Sequence, residues 1–158
     1  MKERAAERAA DLLRRHRIAA LGTLRDGAPS VTMTPFALIA DPLQLVVLVS
    51  GLASHTKDMR DDGRVGVLVT EPESDALSVH TLARVSMQCD ARALLPADPN
   101  YDAARQAYAN RFPDMTGLFS LADFALFAIE PASVRVVSGF AQAASITPAS
   151  LAAAVRSS

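Results

Sequence analysis

Residues 50–59 read SGLASHTKDM and follow directly on an apolar run, LQLVVLV. Hydroxyls, an imidazole and an ammonium are thus gathered where a buried strand ends and a helical pattern begins. A helix N-terminus leaves backbone N–H groups unpaired, and these favour negative charge. Ser50, Ser54 and Thr56 can add hydroxyl donors, Lys57 a full positive charge and His55 a further donor. With the helix starting near Ala53, Ser54 and Lys57 lie on neighbouring positions of one face. The chemistry this suits is the binding of an anion, a phosphate above all. The same residues also fit a plain helix start, with Ser50 or Ser54 as the N-cap and Lys57 as a solvated surface lysine.

Other reactive side chains are scattered. Cys89 falls on the apolar side of an alternating segment, which suits a buried, inert thiol rather than a nucleophile. His16, His55 and His80 have no metal-ligand spacing with one another or with Cys89. Asp61-Asp62, beside Gly63, reads as a solvated helix end rather than an acid pair. RRHR, Arg14–Arg17, suits the C-terminus of a helix. Gly139-Phe140 fits either a strand-end turn with a core phenylalanine or a residue placed over a ligand or across a dimer. There is no Ser-His-Asp order, phosphate-binding P-loop or dinucleotide fingerprint.

The elements that must position these residues are legible in outline. An amphipathic helix covers residues 2–16, with Ala6, Ala9, Ala10 and Leu13 on one side and Arg4, Arg8, Asp11 and Arg15 in water. IAALGTL, RDGAPS and VTMTPFALI read as strand, Asp-Gly turn and strand. ADP makes a second turn, and LQLVVLVS is apolar enough to be a central strand. A short helix over Leu52–Asp61 precedes the strand RVGVLVT, and EPESDALSVHTLA reads mostly as a loop. RVSMQCDARALL alternates as a half-exposed strand. A helix follows in DPNYDAARQAYANRF, then strand, turn and strand in ALFAIEPASVRVVSGF, with Glu130-Pro131 as the break. The tail, residues 146–158, suits a short helix that frays. The prediction is an α+β chain, mainly β. Six or seven mostly antiparallel strands curl into a small barrel decorated with helices.

Bulk properties limit the function. The chain has 158 residues, the size of one domain, and no linker or repeat divides it. Half its residues are apolar and 21% charged, which excludes disorder. A net charge of −1 argues against general binding of nucleic acid or an anionic membrane. One cysteine and no apolar leader fit a reducing cytoplasm.

The run GAPSVTMTPFALI…LVVLVSGLASHTKDMRDDGRVGVLVTEP resembles the pyridoxamine 5′-phosphate oxidase-related, FMN-binding split barrels, and within them the haem-utilisation branch. That branch shows a strand, then S-x-LA-x-HT-x-N, then DPRV and another strand; here Asp58 stands for the Asn and DDGRV for DPRV. ARVSMQCDARAL and FPDMTGLFSLADFALFAIEPASVRVVSGFAQA resemble two later blocks, so the likeness covers residues 18–145. It implies a homodimer of split barrels with FMN in the cleft between subunits. Carried over by position, the phosphate set is Ser50, Ser54, His55, Thr56 and Lys57. The strand facing the flavin ring is Ser30, Val31, Thr32 and Met33, and Arg84 falls near the isoalloxazine. Ser30 stands where many relatives have a basic residue, and Asp58 adds a negative charge beside the phosphate seat.

The function this implies is that of an FMN-binding flavoprotein, an oxidoreductase of unnamed substrate in which the cofactor carries the redox chemistry. The rival expectation is a non-catalytic haem- or flavin-binding protein of haem utilisation. The haem-utilisation relatives often continue into a second domain; the sequence ends at Ser158, so haem degradation by this chain alone is not expected.

Overall fold

Asp26 and Gly27 have φ angles of 52° and 78°. These are the left-handed positions of a tight hairpin turn, and they join β1 (Ile18–Arg25) to β2 (Ala28–Pro35) in full register from Ile18↔Pro35 to Arg25↔Ala28. The computed structural model describes residues 1–157; Ser158, the last residue of the predicted tail, lies outside the described residues. A second hairpin joins β3 (Ala37–Ala40) to β4 (Leu43–Ser50), and β5 (Arg64–Thr70), β6 (Arg84–Leu94), β7 (Phe124–Gly139) and β8 (Gln142–Ile146) complete one antiparallel sheet. Its order is β2-β1-β5-β6-β7-β4-β3, with β8 also paired to β7. β7 makes the split. One edge runs along β6 for nearly its whole length, while the other is shared between β4 (Leu45↔Ile129 to Ser50↔Phe124) and β8 (Val134↔Ile146 to Gly139↔Gln142).

The strands differ from the sequence expectation in three places. VTMTPFALI is not one strand: Pro35 ends β2, and Phe36, fully buried, turns the chain into β3. Glu130-Pro131 is not a turn. β7 passes straight through it because Cys89 pairs with Pro131 and Gln88 with Ser133, so Ala132 is the extra residue of a bulge that tolerates the missing N–H. Gln142–Ile146, unread in the sequence, is the eighth strand.

The main core lies inside the curled sheet. Alternate residues of β1, β5 and β6 (Leu21, Val67, Met87, Cys89) point inward, and α1 (Lys2–Arg15) covers them with Ala5, Ala6, Ala9, Ala10 and Leu13. α4 (Pro148–Arg156) packs on α1, with Leu151 fully buried and Thr147 capping its start by accepting from the Ser150 N–H. The predicted fraying tail is therefore a docked helix. A second cluster lies on the far side of β4, where Val46 and Leu48 meet α3 (Tyr101–Arg111) through Ala104 and Tyr108. β4 is buried on both faces, which is why its sequence reads as a continuous apolar run. Phe140 is 76% exposed at the β7–β8 turn and is not a core residue.

Candidate functional site

α2 spans Ser54–Asp61 and begins one short turn after β4. Gly51 makes that turn possible: a Cβ there would lie 2.9 Å from the Asp123 carbonyl oxygen, to which the Gly51 N–H donates. Neither serine caps the helix. Ala53 is the N-cap and offers no side-chain acceptor; the Thr56 N–H turns back to the Ala53 carbonyl at 3.2 Å, so the N–H groups that keep their partial positive charge are those of Ser54 and His55. Ser50 Oγ instead accepts from the Leu52 N–H at 3.1 Å. Thr56 is buried, and its hydroxyl donates to the Ser50 carbonyl at 2.6 Å. Those two hydroxyls therefore brace the strand-to-helix turn, while Ser54 faces solvent.

The helix lies against the inner face of β1 and β2. Thr23 is paired with Ser30, and Leu21 with Thr32, so Ser30 and Thr32 point to the α2 side. His55 Nδ1 is 2.9 Å from Thr32 Oγ1. One helical turn on, Asp58 accepts from Thr23 Oγ1 at 2.8 Å and from Arg25 Nε and Nη2, both at 3.1 Å. Asp58 is only 3% exposed. The negative charge that the sequence set beside a phosphate is turned into the protein and matched by Arg25.

The other candidates lie elsewhere. Gly22 is paired with Val31 and Ala20 with Met33, so Val31 and Met33 point to the opposite, outer face of the sheet. They are 71% and 58% exposed there, and Val31 lines an open cavity of about 510 Å³ together with Gly22, Leu24, Pro29 and Gly66 among others. Arg84 shares that outer face but stands on β6, three strands from β2 and so about 14 Å away by strand spacing, with its guanidinium donating to the Leu82 carbonyl at 2.9 Å. Lys57 is exposed and ion-paired to Asp61. The structure thus unites Ser30, Thr32 and His55, braces them with Ser50 and Thr56, and adds Thr23, Arg25 and Asp58. Arg25 carried no motif; its only signal in the sequence is a cation ending a strand on the inward parity of Leu21 and Thr23.

Electrostatics follow from these contacts. Burial holds the His55 imidazole below its usual pKa, and the nearby Asp58 only partly opposes this. His55 is therefore biased towards the neutral ring. The Arg25 hydrogen bond holds the Asp58 carboxyl below its ordinary value. Lys57 is paired with Asp61, Arg25 with Asp58 and Arg64 with Asp62, while Arg60 on the same helix as Lys57 has no ion pair among the described residues. Among the described residues no cluster of His, Cys, Asp and Glu could hold a bare metal ion. Burial pushes the Cys89 thiol up to about 12, as an inert core thiol requires.

Known proteins resemble this chain in sequence and fold. The chain matches the family described as pyridoxamine 5′-phosphate oxidase over residues 5–138. It is 34% identical over 118 residues to the chloroplastic haem oxygenase HOZ of Arabidopsis thaliana, a match covering 75% of this chain and 34% of that protein. It is 26% identical over 118 residues to the haem oxygenase HutZ of Vibrio cholerae, covering 74% and 66%. The matched region thus spans about a third and about two thirds of these relatives' lengths. The structure of a haem-binding protein from Mycobacterium smegmatis superposes with a TM-score of 0.83 at 25% identity, over 94% of this chain and 60% of that one. The eight-stranded antiparallel sheet with its helices is the split barrel that these proteins share. Sheet order, the strand-to-helix turn and a match over most of the sequence agree: the chain belongs to the pyridoxamine 5′-phosphate oxidase family.

Proposed function

We propose that this protein binds haem beside His55, where α2 meets β1 and β2, as a homodimer and in the cytoplasm. The observation that carries the reading is the Thr32–His55 contact of 2.9 Å. With Nδ1–H donating to Thr32 Oγ1, Nε2 keeps its lone pair, the arrangement in which histidine ligates a metal. Burial favours the neutral ring that iron needs and a phosphate does not. Haem, when bound, supplies redox-active iron; the chain's residues supply a ligand nitrogen, an anchor and shelter from water. The names of the haem oxygenases and the haem-binding protein to which the chain is similar support the same ligand. Binding, rather than turnover, is what the residues fit best. The one carboxylate beside His55 has both oxygens engaged and is poorly placed to pass a proton.

Titration of the purified protein with haem, followed by the Soret band, tests this. Saturable binding with a His-ligated spectrum is expected. His55→Ala should shift the band, and Thr32→Val should weaken binding by about 10- to 100-fold, the usual cost of losing a residue that orients a metal-bound histidine. An unchanged spectrum in His55→Ala overturns the assignment.

A second reading, FMN binding for an oxidoreductase reaction on an unnamed small molecule, is favoured by the uncapped N-terminus of α2. FMN should then raise the melting temperature of the wild type, and Lys57→Ala should lower FMN affinity. Lys57 is already paired with Asp61, and an FMN affinity unchanged in that variant counts against this reading.

A further inference from the structure

We infer that Arg25 is an anion receptor of this site: its guanidinium, fixed along one edge by Asp58, receives the carboxylate or phosphate of the bound ligand through its remaining N–H donors. The inference rests on the proposal that an anionic cofactor lies beside His55, and it names the residue that would hold the ligand's anionic end.

The geometry is that of a guanidinium committed on one side only. Nε and Nη2 donate to the two oxygens of Asp58, each at 3.1 Å. Thr23 Oγ1 occupies Oδ2 as well, at 2.8 Å. Asp58 is therefore consumed and buried, whereas the Arg25 side chain is 48% exposed. Its third nitrogen, Nη1, makes no hydrogen bond among the described residues. An arginine held this way has already given up much of its rotamer freedom, so a ligand that meets it does not bear that cost. Its planar fork suits the paired oxygens of a carboxylate or phosphate.

Its position suits the task. Arg25 is paired across the hairpin with Ala28, and its guanidinium reaches back to Asp58, three residues from His55 on α2 and so about 4.5 Å further along the helix axis. Thr32 holds His55. A ligand that meets His55 can thus present an anionic group to Arg25 about one helical turn away. The rival cations are worse placed. Lys57 and Arg64 are ion-paired as Arg25 is, but Lys57 stands on the exposed side of α2 and Arg64 on the outer side of β5, opposite in parity to the inward Val65. Arg60 lies two residues beyond Asp58, about 200° around the helix from the face that meets β1.

The test compares haem with its dimethyl ester, whose propionates carry no charge, and FMN with riboflavin, which lacks the phosphate. Affinities are measured by absorbance and by fluorescence quenching. The decisive variant is Arg25→Gln with Asp58→Asn, which removes both charges together and leaves no unpaired buried carboxylate. Arg25→Lys keeps the charge but loses the fork, and stands in if the double variant melts well below the wild type. The wild type is expected to prefer the anionic form of its ligand by about tenfold or more, the scale of one charge-assisted hydrogen bond. That preference should vanish in the double variant and shrink in Arg25→Lys, while affinity for the uncharged form stays constant. Loss for haem alone identifies a carboxylate-bearing ligand, and loss for FMN alone a phosphate. A folded double variant that still discriminates acid from ester overturns the role of Arg25 and leaves haem binding standing. A wild type that binds neither haem nor FMN overturns both.

Discussion

The Asp58 carboxylate takes three hydrogen bonds from Thr23 and Arg25 and has almost no contact with water. Its carboxyl is held below the ordinary 3.8 chiefly by the Arg25 hydrogen bond, so the folded state binds that proton less readily than the unfolded chain. The stabilisation is fully present above pH 3.8 and is lost as the pH falls through the folded value. Asp62, held at about 2 by Arg64, adds to the same limb between 3.8 and 2. His55 works higher up. Its folded pKa lies below 6.5 because burial penalises the cation, so the unfolded chain takes its proton first. Stability is therefore complete above pH 6.5 and falls as the pH drops below it. Urea unfolding midpoints against pH should fall in two stages, with His55→Gln removing the upper stage and Asp58→Asn flattening the lower. A profile of Asp58→Asn parallel to the wild type below pH 4 would show that the carboxylate does not titrate as its contacts require. Cys89 gives a simpler check. With its thiol pushed up to about 12, it should resist alkylation in the native protein at neutral pH and react once the chain is unfolded in urea.

Helices and strands take their places here from which faces they bury. α4 lies on α1 with Leu151 fully enclosed, so Leu151→Ala should cost about 2–5 kcal/mol, the range for a truncated core leucine. Thr147→Ala, which removes only the N-cap, should cost about 1 kcal/mol. Denaturant melts of both variants check this; if the leucine variant unfolds like the wild type, α4 is not part of the cooperative unit. The same logic separates what could be read from the sequence from what could not. β4 was legible because two-sided burial leaves no polar residue between Leu45 and Val49. The β1–β2 hairpin was legible because Asp26-Gly27 can adopt the positive φ angles that the turn demands. β7 was misread at Pro131 because a local rule, that proline breaks a strand, gave way to a bulge set by pairing with β6, which no neighbour in sequence announces. Near the candidate site, the strand-to-helix turn was legible from residue types alone. The split of Ser30 and Thr32 from Val31 and Met33 is simple alternation, hidden by treating consecutive residues as one surface. The Arg25–Asp58 pair joins residues 33 apart, and only the fold brings them together.

Across the whole molecule, charge and exposure are unevenly shared. The inner side of the β1–β2 hairpin carries the polar cluster under α2, whereas its outer side is apolar and uncovered. Ile18, Val31, Met33 and Leu68 stand there beside two glycines, Gly22 and Gly66, which face each other across β1 and β5. An apolar face of this kind, continuous over three neighbouring strands, is the sort that marks an interface between proteins. A second copy of the chain is the simplest occupant, because a two-fold axis would let the same strands cover one another. The net charge of −1 sets up little repulsion between copies. The hairpin has an inner and an outer face, so a partner seated on the outer one would also stiffen the strands that carry Ser30, Thr32 and Arg25. Light scattering on the wild type should then give twice the chain mass of 16.7 kDa. Val31→Glu with Met33→Glu should give one chain mass. The folded chain should survive, since both side chains are already exposed within the protomer. Haem affinity should then fall in step with dissociation, because β2 would present the interface on its outer face and carries Thr32, the partner of His55, on the other. A wild type that is monomeric at high micromolar concentration, or a monomeric variant that binds haem as tightly as the wild type, would separate the ligand site from the interface and confine it to a single chain.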